Sequence, residues 1–148
     1  MKRRTFLGIA VAATLVANRV SATVPLVEVY KSPTCGCCGK WAEHLRNDGF
    51  VVNVHAIPDI DTFRVRAGVP ARLASCHTAL VGGYVVEGHV PAADIRKLLT
   101  EQPKALGLAV PGMPAISPGM DAPHGPGYEV LLFQADGATQ VYRAYPQT

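Results

Sequence analysis

Three of the chain's four cysteines fall within four consecutive positions, in Ser32-Pro33-Thr34-Cys35-Gly36-Cys37-Cys38-Gly39-Lys40. The fourth stands apart in Ser75-Cys76-His77-Thr78. Cys35 and Cys38 have the Cys-x-x-Cys spacing. Where such a turn opens a helix, the unpaired backbone N–H groups and the helix dipole stabilise a thiolate, and Lys40 adds positive charge nearby. A stabilised thiolate is both a nucleophile and a metal ligand, so the spacing alone does not separate disulfide exchange from metal binding. Four cysteines allow three disulfide connectivities. One pairs the adjacent Cys37 and Cys38 in a strained ring and is disfavoured; the other two join Cys76 to the cluster through Cys37 or Cys38.

The crowding favours a metal. Soft thiolates select Cu(I), Zn(II) or iron–sulfur clusters. Structural zinc takes two separated ligand pairs around one tetrahedral ion. Cys35, Cys37 and Cys38 crowd a single ion and suit bridging thiolates with more than one Cu(I). Met113 and Met120 lie in Pro111-Gly112-Met113-Pro114 and Pro118-Gly119-Met120. They are candidate auxiliary thioether donors, the alternative being that they pin their loop to the apolar surface. His77 is a further candidate ligand, although adjacency to Cys76 turns the two side chains to opposite faces of a regular strand. His89, before a helix, reads as a structural hydrogen-bonder, His44 and His55 read as surface positions, and His124 is unplaced.

The elements that must position these residues follow from periodicity. Val24 to Tyr30 reads as a strand, and Lys40 to Asn47 as an amphipathic helix with Trp41 and Leu45 inward and the cysteines in its first turn. Phe50 to Ile57 is a second strand, parallel to the first across a helical crossover. Asp59 to Ala67 is a short helix capped by Asp59 or Asp61. Thr78–Val81 and Tyr84–Glu87 form a hairpin about Gly82-Gly83. Pro91 to Glu101 is a helix with Ile95, Leu98 and Leu99 as its apolar stripe. From Gln102 the prolines and glycines predict a long ordered loop, closed by a hairpin of Tyr128–Gln134 and Thr139–Tyr145. The order strand, helix, strand, helix, strand, strand, helix is that of thioredoxins. The expected fold is therefore α/β, a thioredoxin-like three-layer sandwich with an added C-terminal Pro/Gly loop and β-hairpin. Two departures from thioredoxins strengthen the metal reading. Cys37 stands where they usually have proline, and Cys76 lies where they carry the proline that faces the active site.

Residues 1–22 read as a cleaved signal peptide: Lys2, Arg3 and Arg4, then an apolar run from Phe6 to Ala17, then Val20-Ser21-Ala22. The apolar run is well short of the ~20 residues a spanning helix needs. The twin arginines Arg3-Arg4 leave the Sec and Tat routes both open. Residues 23–148 then form a single domain. Lys2, Arg3, Arg4 and Arg19 leave with the leader, which removes the whole-chain excess of 14 Lys+Arg over 11 Asp+Glu. No basic patch for nucleic acid or a membrane surface remains.

The strings Tyr30-Lys31-Ser32-Pro33-Thr34-Cys35-Gly36-Cys37-Cys38, Ser75-Cys76-His77-Thr78, Tyr84-Val85-Val86-Glu87-Gly88-His89-Val90-Pro91 and Gly107-Leu108-Ala109-Val110-Pro111-Gly112-Met113-Pro114 resemble the CopG-like proteins. These are periplasmic bacterial proteins, often found with copper-resistance systems and long labelled a domain of unknown function. The resemblance spans essentially the whole mature chain. It implies a thioredoxin-like fold, copper binding at the Cys-x-Cys-Cys motif plus the later cysteine, and redox handling of copper. The expected function is a monomeric periplasmic copper-binding protein that holds Cu(I) through Cys35, Cys37, Cys38 and Cys76, acting beside other copper-resistance proteins. The competing readings are a thiol–disulfide oxidoreductase and a small domain merely stapled by disulfides. Clustering argues against the last, because disulfide scaffolds spread their cysteines.

Overall fold

The computed structural model describes residues 25–148, so the leader expected over residues 1–22 lies outside the described residues. The strands are β1 (Leu26–Lys31), β2 (Val51–Ala56), β3 (His77–Val81), β4 (Tyr84–Glu87), β5 (Gly107–Ala109), β6 (Tyr128–Phe133) and β7 (Thr139–Tyr145). The helices are α1 (Cys37–Asn47), α2 (Ile60–Arg66) and α3 (Ala92–Glu101), with a short 3-10 turn over Ala71–Leu73. All seven strands form one mixed sheet in the order β2-β1-β3-β4-β5-β6-β7. β1 pairs β2 in parallel across α1, and β3 runs antiparallel to both β1 and β4. No helix among the described residues is long and apolar enough to cross a membrane.

The central strands bury both faces of the sheet, while β2 and β7 at its edges are largely exposed. On one face Val27, Val29, Ala79, Val81 and Val86 pack with Trp41 and Leu45 of α1 and with Ile95 and Leu98 of α3. On the other, Val85, Ala109 and Phe133 meet Val69 and Leu73 from the segment that follows α2. The buried stripe of α1 is Cys38, Trp41, Ala42 and Leu45, the i, i+3, i+4, i+7 spacing of one helical face. Cys38 is thus both a site residue and part of the core. Asp59 caps α2 by accepting a hydrogen bond from Thr62 N at 2.9 Å.

One element departs from expectation. The stretch from Gln102 to the hairpin at Tyr128, anticipated as loop, contains β5, which pairs in parallel with β4 and antiparallel with β6. Between Pro103 and Pro111 the chain is free of proline, and its apolar residues Leu108, Ala109 and Val110 are fully buried. Gly107 permits the close approach: a Cβ there would lie 1.7 Å from the Val85 carbonyl oxygen. The C-terminal hairpin therefore continues the central sheet.

Candidate metal centre

β1 delivers the chain to a turn closed by Cys35 N donating to Ser32 O at 3.1 Å. Gly36 occupies the N-cap position of α1, and Cys37 and Cys38 are its first two residues. Cys76 enters from a bend immediately before β3, the strand paired with β1, and so returns to the same end of the sheet. Its Sγ lies 3.8 Å from Cys37 Sγ, and Cys37 Sγ lies 3.6 Å from Cys35 Sγ. Cys38 Sγ is 3.6 Å from the Cys76 carbonyl oxygen. The ligand atoms of Cys35, Cys37, Cys38 and Cys76 all lie within 4.8 Å of one another. The four cysteines singled out in the sequence thus converge. Cys35 and Cys38 are joined as a disulfide, with Cys37 and Cys76 free. Two of the four sulfur donors are tied to each other, and a two-electron, two-proton reduction frees them.

Two buried histidines complete the surroundings. His89 Nε2 lies 2.9 Å from Cys76 Sγ and His77 Nδ1 lies 3.3 Å from it. His89, read from the sequence as a structural hydrogen-bonder, makes such a bond, and its partner is the Cys76 thiol. The signal was available in the hairpin. Thr78 pairs with Glu87 about the Gly82-Gly83 turn, and the same register continued outward sets Cys76 opposite His89. His77 also reaches the sulfur, because Cys76 lies in a bend outside β3 where strict alternation does not hold. Its ring packs on Trp41 with centroids 4.2 Å apart, and Trp41 Nε1 donates to Val90 O at 2.9 Å.

Burial sets the protonation states. It pushes the Cys76 thiol up to about 12, with the neighbouring Cys37 adding to the shift. Cys76 is therefore protonated at neutral pH, and a cation binding there must displace the proton. Burial pulls His77 down to about 3, with His89 adding to the shift, and it also lowers His89. Both rings are neutral at pH 7, the form that coordinates metals. His77 Nε2 and His89 Nδ1 are buried without a hydrogen-bond partner. A compact set of sulfur atoms with neutral imidazole beside it is the chemistry of a soft-metal site.

The methionine loop frames this end of the sheet. Ser75 Oγ donates to Gly112 O, next to Met113, and Gly119, next to Met120, lies against the first turn of α1. Met113 is 54% exposed and so is not a core residue. Of the remaining histidines, His55 is exposed and bonded to Glu28 at 2.5 Å, and His124 is exposed. His44, expected at the surface, is half-buried and accepts a hydrogen bond from Ala92 N at 3.1 Å, which satisfies a free donor at the start of α3. A cleft of about 650 Å³ between Pro111, Pro114, Tyr128 and Tyr145 has none of the cysteines in its walls. The metal-site reading therefore rests on the donor set and not on a cavity.

Fold and site together define a mixed α/β domain with a cysteine-rich candidate metal centre at one end of its sheet. The chain is 43% identical to a solved structure described as copper resistance protein copG, form 1, with a TM-score of 0.78, covering 82% of this chain and 97% of that one. Against form 2 the identity is 42% and the TM-score 0.80, covering 84% of this chain and 100% of that one. A family model described as protein of unknown function, DUF411, matches residues 73–120, which include Cys76, His77 and His89. No curated protein sequence matches. The chain belongs to the CopG family of copper resistance proteins.

Proposed function

We propose that the protein is a periplasmic copper-binding domain on a thioredoxin-like frame. It holds more than one Cu(I) through Cys35, Cys37, Cys38 and Cys76, with His89 and His77 as nitrogen donors and Met113 or Met120 as auxiliary thioethers. The observation that carries the reading is the position of Cys76 Sγ, 3.8 Å from Cys37 Sγ and 2.9 Å from His89 Nε2. One sulfur shared by two donor groups is the arrangement that thiolate bridging between ions requires. Family membership and the soft donor set support copper over zinc. The element order β1-α1-β2-α2-β3-β4-α3 and the pairing β2-β1-β3-β4 support the thioredoxin-like frame. The residues 1–22 pattern supports export, with the mature chain beginning near Thr23, and N-terminal sequencing of the exported protein tests it.

The test of copper binding is a Cu(I) titration against a competing chelator, with anaerobically reduced protein. The parent takes up more than one Cu(I) per chain, and Cys76→Ser takes up less. Unchanged stoichiometry and affinity in Cys76→Ser would remove the fourth thiol from the site and the reading with it.

A second reading, thiol–disulfide exchange, is favoured by the Cys35–Cys38 disulfide at the start of α1. Cys37, a competing thiol 3.6 Å from Cys35 Sγ, argues that such exchange is weak. Insulin reduction at the rate of a dedicated oxidoreductase, indifferent to copper, would put the second reading first.

A further inference from the structure

Arg64 and Glu87 form a buried ion pair that the proposed copper set does not use. Arg64 Nε donates to Glu87 Oε1 at 2.7 Å, and both side chains are withdrawn from solvent. A buried pair is costly unless hydrogen bonds satisfy its remaining lone pairs and protons. Here two of those bonds go to one residue, Ser75. Glu87 Oε1 accepts from Ser75 N at 2.7 Å, and Arg64 Nη2 donates to Ser75 O at 2.7 Å. Glu87 Oε2 accepts from Thr78 Oγ1 at 2.5 Å, and Arg64 Nη1 meets the exposed Asp61.

Ser75 precedes β3 and has no ladder partner across the sheet. Its carbonyl belongs to the peptide that joins it to Cys76. The ion pair therefore grips that segment from both its N–H and its C=O. With this peptide held on one side of Cys76 and β3 holding His77 on the other, χ1 is the main rotation left to the Cys76 sulfur.

We propose that Arg64 and Glu87 are positioning residues for Cys76: the buried pair anchors the Ser75–Cys76 peptide and so keeps the Cys76 sulfur between Cys37 and His89. This rests on the reading of Cys76 as a copper ligand. Groups that orient a ligand without touching the metal commonly govern affinity by about 10- to 100-fold. α2, which carries none of the cysteines, reaches the Cys76 segment through Arg64.

The test compares Glu87→Gln, Arg64→Lys, Thr78→Val and Cys76→Ser with the parent. Cu(I) titration against a chelator and the ultraviolet thiolate-to-copper absorption are read on reduced protein. Thermal unfolding is read on the metal-free form. Arg64→Lys keeps the charge pair but loses the fork that reaches Ser75 O, so it serves where Glu87→Gln fails to fold. Thr78→Val removes a bond to the same carboxylate without touching Ser75. The expected result is Cu(I) binding weakened by about tenfold or more in Glu87→Gln and Arg64→Lys. Their absorption moves toward that of Cys76→Ser, while Thr78→Val lowers the unfolding temperature and keeps the parent's affinity. Two results overturn the proposal. One is parent-like affinity and absorption in both ion-pair variants whatever their stability. The other is a loss in Thr78→Val as large as theirs, which would tie affinity to stability alone. Cys76→Ser binding copper as the parent does would instead overturn the copper assignment, separately from the clamp.

Discussion

At Cys76 the proposed site has its most demanding residue. A thiol pushed up to about 12 holds its proton unless a cation replaces it, so Cu(I) uptake by reduced protein should release protons, measurable in weakly buffered solution. His89→Ala, which removes the nitrogen 2.9 Å from that sulfur, should weaken Cu(I) binding by roughly tenfold or more. His124→Ala, at an exposed position, should leave it unchanged, and equal losses in the two variants would take His89 out of the ligand set. The histidines also shape stability without metal. An imidazole whose pKa is lower folded than unfolded binds fewer protons in the native state, so stability rises with pH between the two values. For His77 the window runs from 6.5 down to about 3, and His89 and His44 shift in the same direction. Between pH 6.5 and about 5 the carboxylates of the unfolded chain stay ionised, and the three lowered histidines act together against one opposing group, Glu87, whose carboxyl burial raises in the native state. The urea midpoint of copper-free protein should therefore fall from pH 7.5 to pH 5, and His77→Gln should flatten that dependence.

The elements place these residues through backbone contacts that sequence patterns show unevenly. The loop bearing both methionines reaches α1 at Gly119, whose φ is +91° and whose added Cβ would lie 2.8 Å from Trp41 N and 3.1 Å from Cys37 O. Gly119→Ala should cost roughly 1–3 kcal/mol for the conformation alone, plus whatever undocking the loop adds. Gly112, at φ +67° with open space around it, carries only the conformational part, so Gly112→Ala should be milder in a denaturant titration. Strong periodicity made α1, α2, α3 and the β3–β4 hairpin legible to within a few residues, because apolar spacing and turn residues report local structure directly. β5 was hidden by the prolines on both sides of it. Arg64 and Glu87 were hidden for a different reason. A charged residue on a short helix reads as solvated, and only the packing of α2 against the sheet shows that Arg64 is buried. The cysteine cluster was legible because its density needs no tertiary information. The hydrogen-bonding role of His89 was legible too, but its partner Cys76 emerges only when the hairpin register is continued beyond the strand ends.

Across the whole molecule the C-terminal segment is continuous with the fold that precedes it. The sequence suggested an appendage, whereas β5 covers the open edge of β4 and β6 supplies Val130 and Leu132 to one core and Phe133 to the other. Tyr145 OH donates to Asp94 Oδ2 at 2.7 Å, and Arg143 Nε lies 3.1 Å from Asp94 Oδ1 at ion-pair distance without hydrogen-bond alignment. Asp94, fully buried in the first turn of α3, depends on β7 for both neighbours. Ending the chain at Gln102 would bare the edge of β4, open both cores and strand that carboxylate. An exposed apolar strand edge is also a template for association. The truncated protein should therefore lack a cooperative thermal transition and should self-associate, where the parent unfolds in one step. Circular dichroism against temperature and light scattering read the two effects. A truncated chain that melts cooperatively within a few degrees of the parent would show that residues 25–102 fold alone, and that the segment beyond serves the metal centre without holding the domain together.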